Sequence, residues 1–232
     1  PLAEAAGTTP ERVTVHTLDQ HNNPGYDPDA ERRLGRHGLA GRIYNVEFAA
    51  RAIERTAQAA EAAMKQPQPV THIAFGQARV EKVASNRRIP GPDGRVKYVR
   101  YSSCREPEVR AAPEGVIDPL LRSIGFWNAG RPVAILTYYA THPQSYYGEG
   151  GVSADFVGMA RGAREKAVPA AVHIHFNGAG GNVGAGKYND GSPAMRPVLA
   201  GRIEEGMRTA WESSEKQPLR ARDIGWRTSR VV

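Results

Sequence analysis

Val133-Ala-Ile-Leu-Thr-Tyr-Tyr-Ala140 is followed at once by Thr141-His142-Pro143-Gln144-Ser145 and then by a Gly-rich loop that closes at Ser153-Ala154-Asp155. Eight mostly apolar residues without a break read as a buried strand. Pro143 cannot donate to a ladder, so the strand must stop there. His142 therefore stands at the carboxyl end of a core strand, where α/β folds gather ligand sites. An imidazole there suits metal ligation or proton transfer. A structural role, tied to a neighbouring carbonyl, suits it equally.

Other segments extend the pattern outward. Leu120 to Phe126 reads as a strand, and Asn128-Ala129-Gly130-Arg131 turns it back into the central one as a hairpin. Phe156 to Lys166 reads as a helix with Ser153 or Asp155 as its N-cap. Ala171-Val-His173-Ile-His175-Phe176 is a further strand, emptying into the Gly-rich stretch Asn177 to Lys187. Pro197 to Ser213 reads as a helix and Leu219 to Val232 as a last strand. Upstream, Arg12 to Thr17 alternates polar and β-branched residues as a strand would. Asp29 to Arg36 and Tyr44 to Lys65 read as helices, the second with Val46, Ala49, Ala50, Ile53, Ala57, Ala60 and Met64 on one face. Val70 to Ala84 and Val96 to Tyr101 read as strands. Strands alternating with helices and hairpins predict an α/β fold, a mixed β-sheet sandwich flanked by helices, with residues 1–232 as a single domain.

Bulk properties narrow the function classes. The chain has 232 residues, of which 40% are hydrophobic, enough for a substantial core. Its net charge is +7, but the basic residues are scattered, which argues against nucleic-acid binding while leaving room for contact with a membrane surface. One cysteine, Cys104, excludes an intrachain disulfide and has no companion that would make a thiol enzyme. No stretch reaches the roughly 20 apolar residues of a membrane span. The chain opens on Pro1 inside a helical pattern and stops at Arg230-Val231-Val232 inside a strand pattern, so both ends are expected to lie within a longer domain.

Four polar loops follow strands: Asp19 to Pro24, Asn86 to Arg88, His142 to Asp155, and Asn177 to Asn189. Their convergence at one end of a sheet would build a site. The Gly-rich loop lacks the Gly-Lys-Ser/Thr of a phosphate loop, no Gly-x-Gly-x-x-Gly opens a helix, and no Gly-x-Ser-x-Gly elbow exists. His173 and His175 point to one face of their strand; they either share a metal or simply pack that face. Asp19 and His21 are also two apart, and with His142 arriving from another strand they would form a three-ligand metal corner.

Thr141-His142-Pro143-Gln144-Ser145 with Ser153-Ala154-Asp155 resembles the His-bearing strand end of neutral/alkaline ceramidases. Asp19-Gln-His21-Asn-Asn-Pro24 resembles that family's His-x-His segment, Ser85-Asn-Arg87-Arg88 its Asn-Arg-Ser segment, and Gly181-Asn182-Val-Gly184-Ala-Gly186 its Gly-Asp-Val-Ser-Pro-Asn segment. All four keep the family's order. The resemblance implies the middle part of a zinc-dependent amidohydrolase domain that cleaves the N-acyl bond of ceramide or a related lipid amide, secreted or periplasmic. It implies zinc ligation by His142, a catalytic His21 beside the metal-bound water, Arg87 binding the substrate carbonyl or oxyanion, and supporting loop roles for Asp155 and Asn182. This chain departs from the pattern in three places. Asp19 stands where the family has a ligating His, Asn182 where it has Asp, and Gly184 where it has Ser. The family's Glu and Tyr ligands come from a later part of the chain. Two alternatives stay open: a metal-dependent hydrolase of another ester, amide or sugar derivative, and a non-catalytic binding homologue that has lost a zinc ligand.

Overall fold

The computed structural model describes residues 1–229, so the end of the expected last strand, Arg230 to Val232, lies outside the described residues. The chain forms two compact units. One comprises Pro1–His16, Asn23–Pro69 and the chain from Ala221; the other comprises Thr17–Asn22 and Val70–Arg220.

The first unit is helical. Its helices are α1 (Leu2–Ala5), α2 (Pro28–Gly35) and α3 (Val46–Met64), and the last two start where the sequence supplies caps. The Asp27 carboxylate accepts from the Ala30 amide at 2.8 Å, and Asn45 Oδ1 accepts from the Phe48 amide at 2.9 Å. No residue of α3 is buried; Ile53 and Met64 on its apolar stripe are 41% and 55% exposed. The strand expected over Arg12 to Thr17 is absent: a 3-10 turn at Pro10–Arg12 runs into irregular chain with Val15 exposed. Alternation alone cannot make a strand without a neighbour to complete its ladder.

The second unit is a mixed α/β layer built on β1 (His72–Arg79), β5 (Leu120–Asn128), β6 (Arg131–Tyr139), β7 (Val172–Asn177) and β9 (Glu215–Pro218), in the order β7-β6-β5-β1-β9. All neighbours are antiparallel except β6 and β7, which are parallel and joined through α5 (Asp155–Ala167). The β5–β6 hairpin has a two-residue loop: Asn128 pairs with Arg131, and Ala129 takes φ +49°. Two short ribbons complete the unit: β2 (Ser85–Asn86) with β8 (Val183–Gly184), and β3 (Arg88–Pro90) with β4 (Val96–Val99). A short helix, α4 (Pro107–Ala111), lies between β4 and β5. The last expected strand is not a continuation of the sheet; residues 219–229 contain only a 3-10 turn at Ala221–Asp223.

Helices α5 and α6 (Met195–Glu212) cover one face of the sheet, where Phe156, Val157, Leu199, Ile203 and Met207 meet Leu121 and Tyr139. Gly76 lets α6 come that close: a Cβ there would overlap the Ala210 carbonyl oxygen and sit 2.9 Å from its carbon. The sequence reads β6 as buried on both sides, but burial alternates, with Ile135, Thr137 and Tyr139 inside and their neighbours half-exposed. On the opposite face Phe75 is 53% and Ile174 42% exposed. Among the described residues no helix is long and apolar enough to cross a membrane.

Candidate metal centre

The parallel pair β6 and β7 decides where the site lies. Each strand empties into a long loop at its carboxyl end, and the two loops interlock: the His142 amide donates to the Val183 carbonyl at 2.9 Å, and His142 bridges Gly184. The loop carrying Arg87 joins them, because Ser85 pairs with Gly184 and the Arg87 amide donates to the Asn182 carbonyl at 2.8 Å. The segment Thr17–Asn22 closes the ring. Asn22 donates to the Glu149 carbonyl at 3.0 Å and accepts from the Gly148 amide at 3.0 Å, while Leu18 packs on the core. All four polar loops thus meet at one place.

At their centre Asp19, His21 and His142 each offer one ligand-type atom, all within 4.8 Å of one another. His142 Nε2 lies 3.0 Å from His21 Nε2, the rings meeting edge to face at 84°. His142 Nδ1 lies 3.0 Å from Asp19 Oδ2. That second approach is close but poorly aimed: Nδ1 is fully buried and makes no hydrogen bond of acceptable geometry. One oxygen and two imidazole nitrogens are a donor set that zinc accepts, with a fourth position left for water. The residues present therefore fit a small divalent cation.

Asp19 and His21 do not reach this place by strand spacing, as the sequence suggested. No strand forms there; Asp19 takes φ +58°, and this turn brings its carboxylate beside His142. His142 is 5% exposed, whereas the Asp19 side chain is 60% exposed. Burial holds the His142 imidazole below its ordinary value; the Asp19 carboxylate pulls upward, and His21 and Arg87 push further down.

Arg87 borders the cluster. A Cβ on Gly184 would lie 3.8 Å from Arg87 Cγ and 3.8 Å from His142 Cβ, so the glycine separates the two side chains by one small step. The guanidinium lies 5.6 Å from the Tyr101 ring centre and reaches the Gly181 carbonyl at 3.5 Å. Buried Arg100 supports it from behind. Its amide donates to the Arg87 carbonyl, and its guanidinium donates to the carbonyls of Asn86, Val109, Ala112 and Pro113. Lys187, the cation of the Gly-rich loop, is likewise spent on the carbonyls of Arg110 and Ala112, at 2.7 and 2.6 Å.

Asp155 and Asn182 lie behind the cluster. The Asp155 carboxylate, 1% exposed, accepts from the Ser145 amide and hydroxyl, the Tyr146 amide and its neighbour Phe156. It organises the turn after His142 and does not cap α5 in the expected way; the Asp155 amide itself donates to Ser153 Oγ at 2.9 Å. Asn182 accepts from Arg88 at 2.8 Å and donates to Asn86 at 2.6 Å, bracing the β2–β8 ribbon. His173 and His175 lie on the helix-covered face of the sheet, both nearly buried, and are not members of the cluster.

Sequence reasoning missed Gln144, Ser102 and Asn189. Gln144 Nε2 lies 3.1 Å from His21 Nδ1, and Gln144 Oε1 accepts from Ser102 Oγ at 2.7 Å. Asn189, with no exposed surface, donates to the Ser102 carbonyl at 2.8 Å. Only the position of Gln144, two residues past a His at a strand end, hinted at this.

No family model matches the chain, and no curated protein matches it. Among solved structures it is similar to the neutral ceramidase from Pseudomonas aeruginosa, at 15% identity and a TM-score of 0.47 over 68% of this chain and 25% of that one. It is also similar to a ceramidase complexed with C2, at 17% identity and a TM-score of 0.48 over 66% of this chain and 24% of that one. The chain thus spans about a quarter of the length of each.

Proposed function

We propose that the chain carries part of a metal-dependent hydrolase centre in which Asp19, His21 and His142 hold a zinc ion, and that the full centre cleaves an N-acyl amide of ceramide type. The observation that supports this most is the meeting of three ligand-type side chains from segments more than a hundred residues apart within 4.8 Å. The substrate class comes from the resemblance of the four loop motifs to neutral ceramidases. When bound, such an ion supplies Lewis acidity and lowers the pKa of its water to about 7.

The chain's own residues divide the remaining work. His142, buried and fixed through its backbone to Val183, gives the site its rigid ligand. His21, more exposed, turns Nε2 to the cluster as the outer ligand while its Nδ1 meets Gln144. Arg87 presents a cation beside the cluster; in an acyl transfer it would stabilise the oxygen on which charge develops. The Asp19 carboxylate brings one negative charge to the cluster, lowering the net charge of a bound dication.

The test is metal content and turnover. Protein purified without chelator should retain about one zinc per chain, and the complete protein should release fatty acid from a fluorescent short-chain ceramide faster than from simple acyl esters. Zinc with ester turnover alone would point to another ester or amide substrate. Absence of tight zinc would leave a non-catalytic binding homologue.

A further inference from the structure

We infer that Gln144 is a positioning residue that selects which ring nitrogen of His21 is bare towards the cluster, through a carboxamide that Ser102 can hold in either of two orientations. This deepens the proposed metal centre and rests on it for its consequence, although the tautomer itself belongs to the metal-free protein.

The geometry is a chain of contacts with a polarity. His21 Nε2 faces His142 Nε2 at 3.0 Å, and His21 Nδ1 faces the Gln144 carboxamide at 3.1 Å. A neutral imidazole carries one N–H, so whatever meets Nδ1 decides the state of Nε2. As placed, the Gln144 NH2 faces His21 while its oxygen accepts from Ser102 Oγ at 2.7 Å. Nδ1 must then be the acceptor, and Nε2 carries the proton and donates to His142. In that arrangement His21 has no lone pair for a cation. Turning the carboxamide through a half circle puts its oxygen against Nδ1–H, strips Nε2, and leaves the NH2 facing the Ser102 hydroxyl. A hydroxyl accepts as readily as it donates, so Ser102 satisfies both orientations.

The surroundings hold the carboxamide in place without fixing its sense. Ser102 is 4% exposed. Tyr147 Oη donates to the backbone carbonyl of Gln144 at 3.3 Å, which fixes the main chain that carries the carboxamide. Buried Asn189 donates to Tyr147 Oη at 3.0 Å and to the Ser102 carbonyl at 2.8 Å. A carboxamide held at a fixed point between an imidazole and a hydroxyl is a two-position tautomer selector. Partners of this kind behind a metal-binding His typically change affinity about 10–100-fold.

The experiment reads 15N shifts of the His21 ring in metal-free protein at about pH 8.5, where imidazoles are neutral, with the signal assigned by its loss in His21→Gln. The wild type should show the Nε2–H form. Gln144→Glu offers only acceptors, so the signal should move to the Nδ1–H form. Gln144→Met, of similar length and without polarity, should give a mixture. Zinc titration of the same proteins should rank Gln144→Glu about 10-fold or more tighter than wild type. Identical 15N shifts in all three proteins overturn the inference, whatever the zinc result. Shifts that move as stated while none of the three binds zinc uphold the tautomer selection and defeat the metal centre instead.

Discussion

Replacing Asp155 with Asn isolates what the buried carboxylate does for the turn that follows His142. Both residues tolerate the left-handed backbone found at Asp155, φ +56°, so the change adds no conformational strain. An Asn oxygen placed where the present one meets Ser145 Oγ (2.6 Å) and the Phe156 amide (2.7 Å) keeps those bonds, weakened from charged to neutral strength. The new NH2 then faces the Tyr146 amide, which now donates at 3.2 Å to the other oxygen, so a buried donor meets a donor. An orphaned buried donor costs about 1–3 kcal/mol, and each weakened bond roughly another 0.5–1 kcal/mol. Relief of burying a charge works the other way. It is the smaller effect here, because the carboxylate is met by three backbone amides and a hydroxyl. The net expectation is a loss of about 3 kcal/mol. Urea unfolding followed by near-ultraviolet circular dichroism of the stacked Trp127–Trp211 pair reports on this unit. With a slope of about 1–3 kcal/mol per molar, the midpoint should fall by roughly 1–3 M. A fall below about 0.3 M would refute the assignment of Asp155 as the organiser of the His142 turn.

Three further outcomes follow from the same structure. Gly76→Ala drives a methyl into the Ala210 carbonyl and to 3.1 Å from Ser214 Cβ, so α6 must lift from β1; calorimetry should record a loss of about 3 kcal/mol, and an unchanged transition would contradict the close packing. His173, 5% exposed with Nε2 unpartnered, is held below its ordinary pKa chiefly by burial, with Arg164 and Arg161 of α5 adding to the depression and the Val168 carbonyl and Glu165 opposing it. Below about pH 6.5 the unfolded chain takes up a proton that the folded chain resists, so stability should decline as pH falls through that value. His173→Phe should flatten that decline, and an equal slope in both proteins would rule His173 out as its source. For the proposed centre, His142→Ala should abolish zinc retention while Asp19→His tightens it; metal analysis showing unchanged content in both would remove these two residues from the ligand set.

Much of the fold can be read along the chain because it rests on local signals. The helices α2, α3, α5 and α6 follow from 3.6-residue periodicity with caps such as Asp27 and Asn45. The β5–β6 hairpin follows from two apolar runs about a tight Asn-Ala-Gly-Arg turn. Strands expected at residues 12–17 and from 219 onward failed because a strand is completed by its neighbour, and among the described residues neither segment pairs with one beyond the bond of the Leu219 amide to the Thr71 carbonyl. For the same reason the sequence could not say that β6 is covered on one face alone.

The candidate centre divides in the same way. Residue chemistry singled out Asp19, His21 and His142, because carboxylates and imidazoles are the groups that hold metals, while Arg87 came from the motif resemblance alone. Their meeting depends on contacts that no local pattern encodes: the parallel pairing of β6 with β7, the ribbon that draws Ser85 to Gly184, the left-handed turn at Asp19, and the hydrogen bonds of Asn22 to residues 148 and 149. The sequence by itself determined which groups were available and which elements carry them. Tertiary structure decided which groups touch, including the unexpected Gln144 behind His21, because hydrogen bonds between segments 120 or so residues apart exist only once the chain has closed on itself.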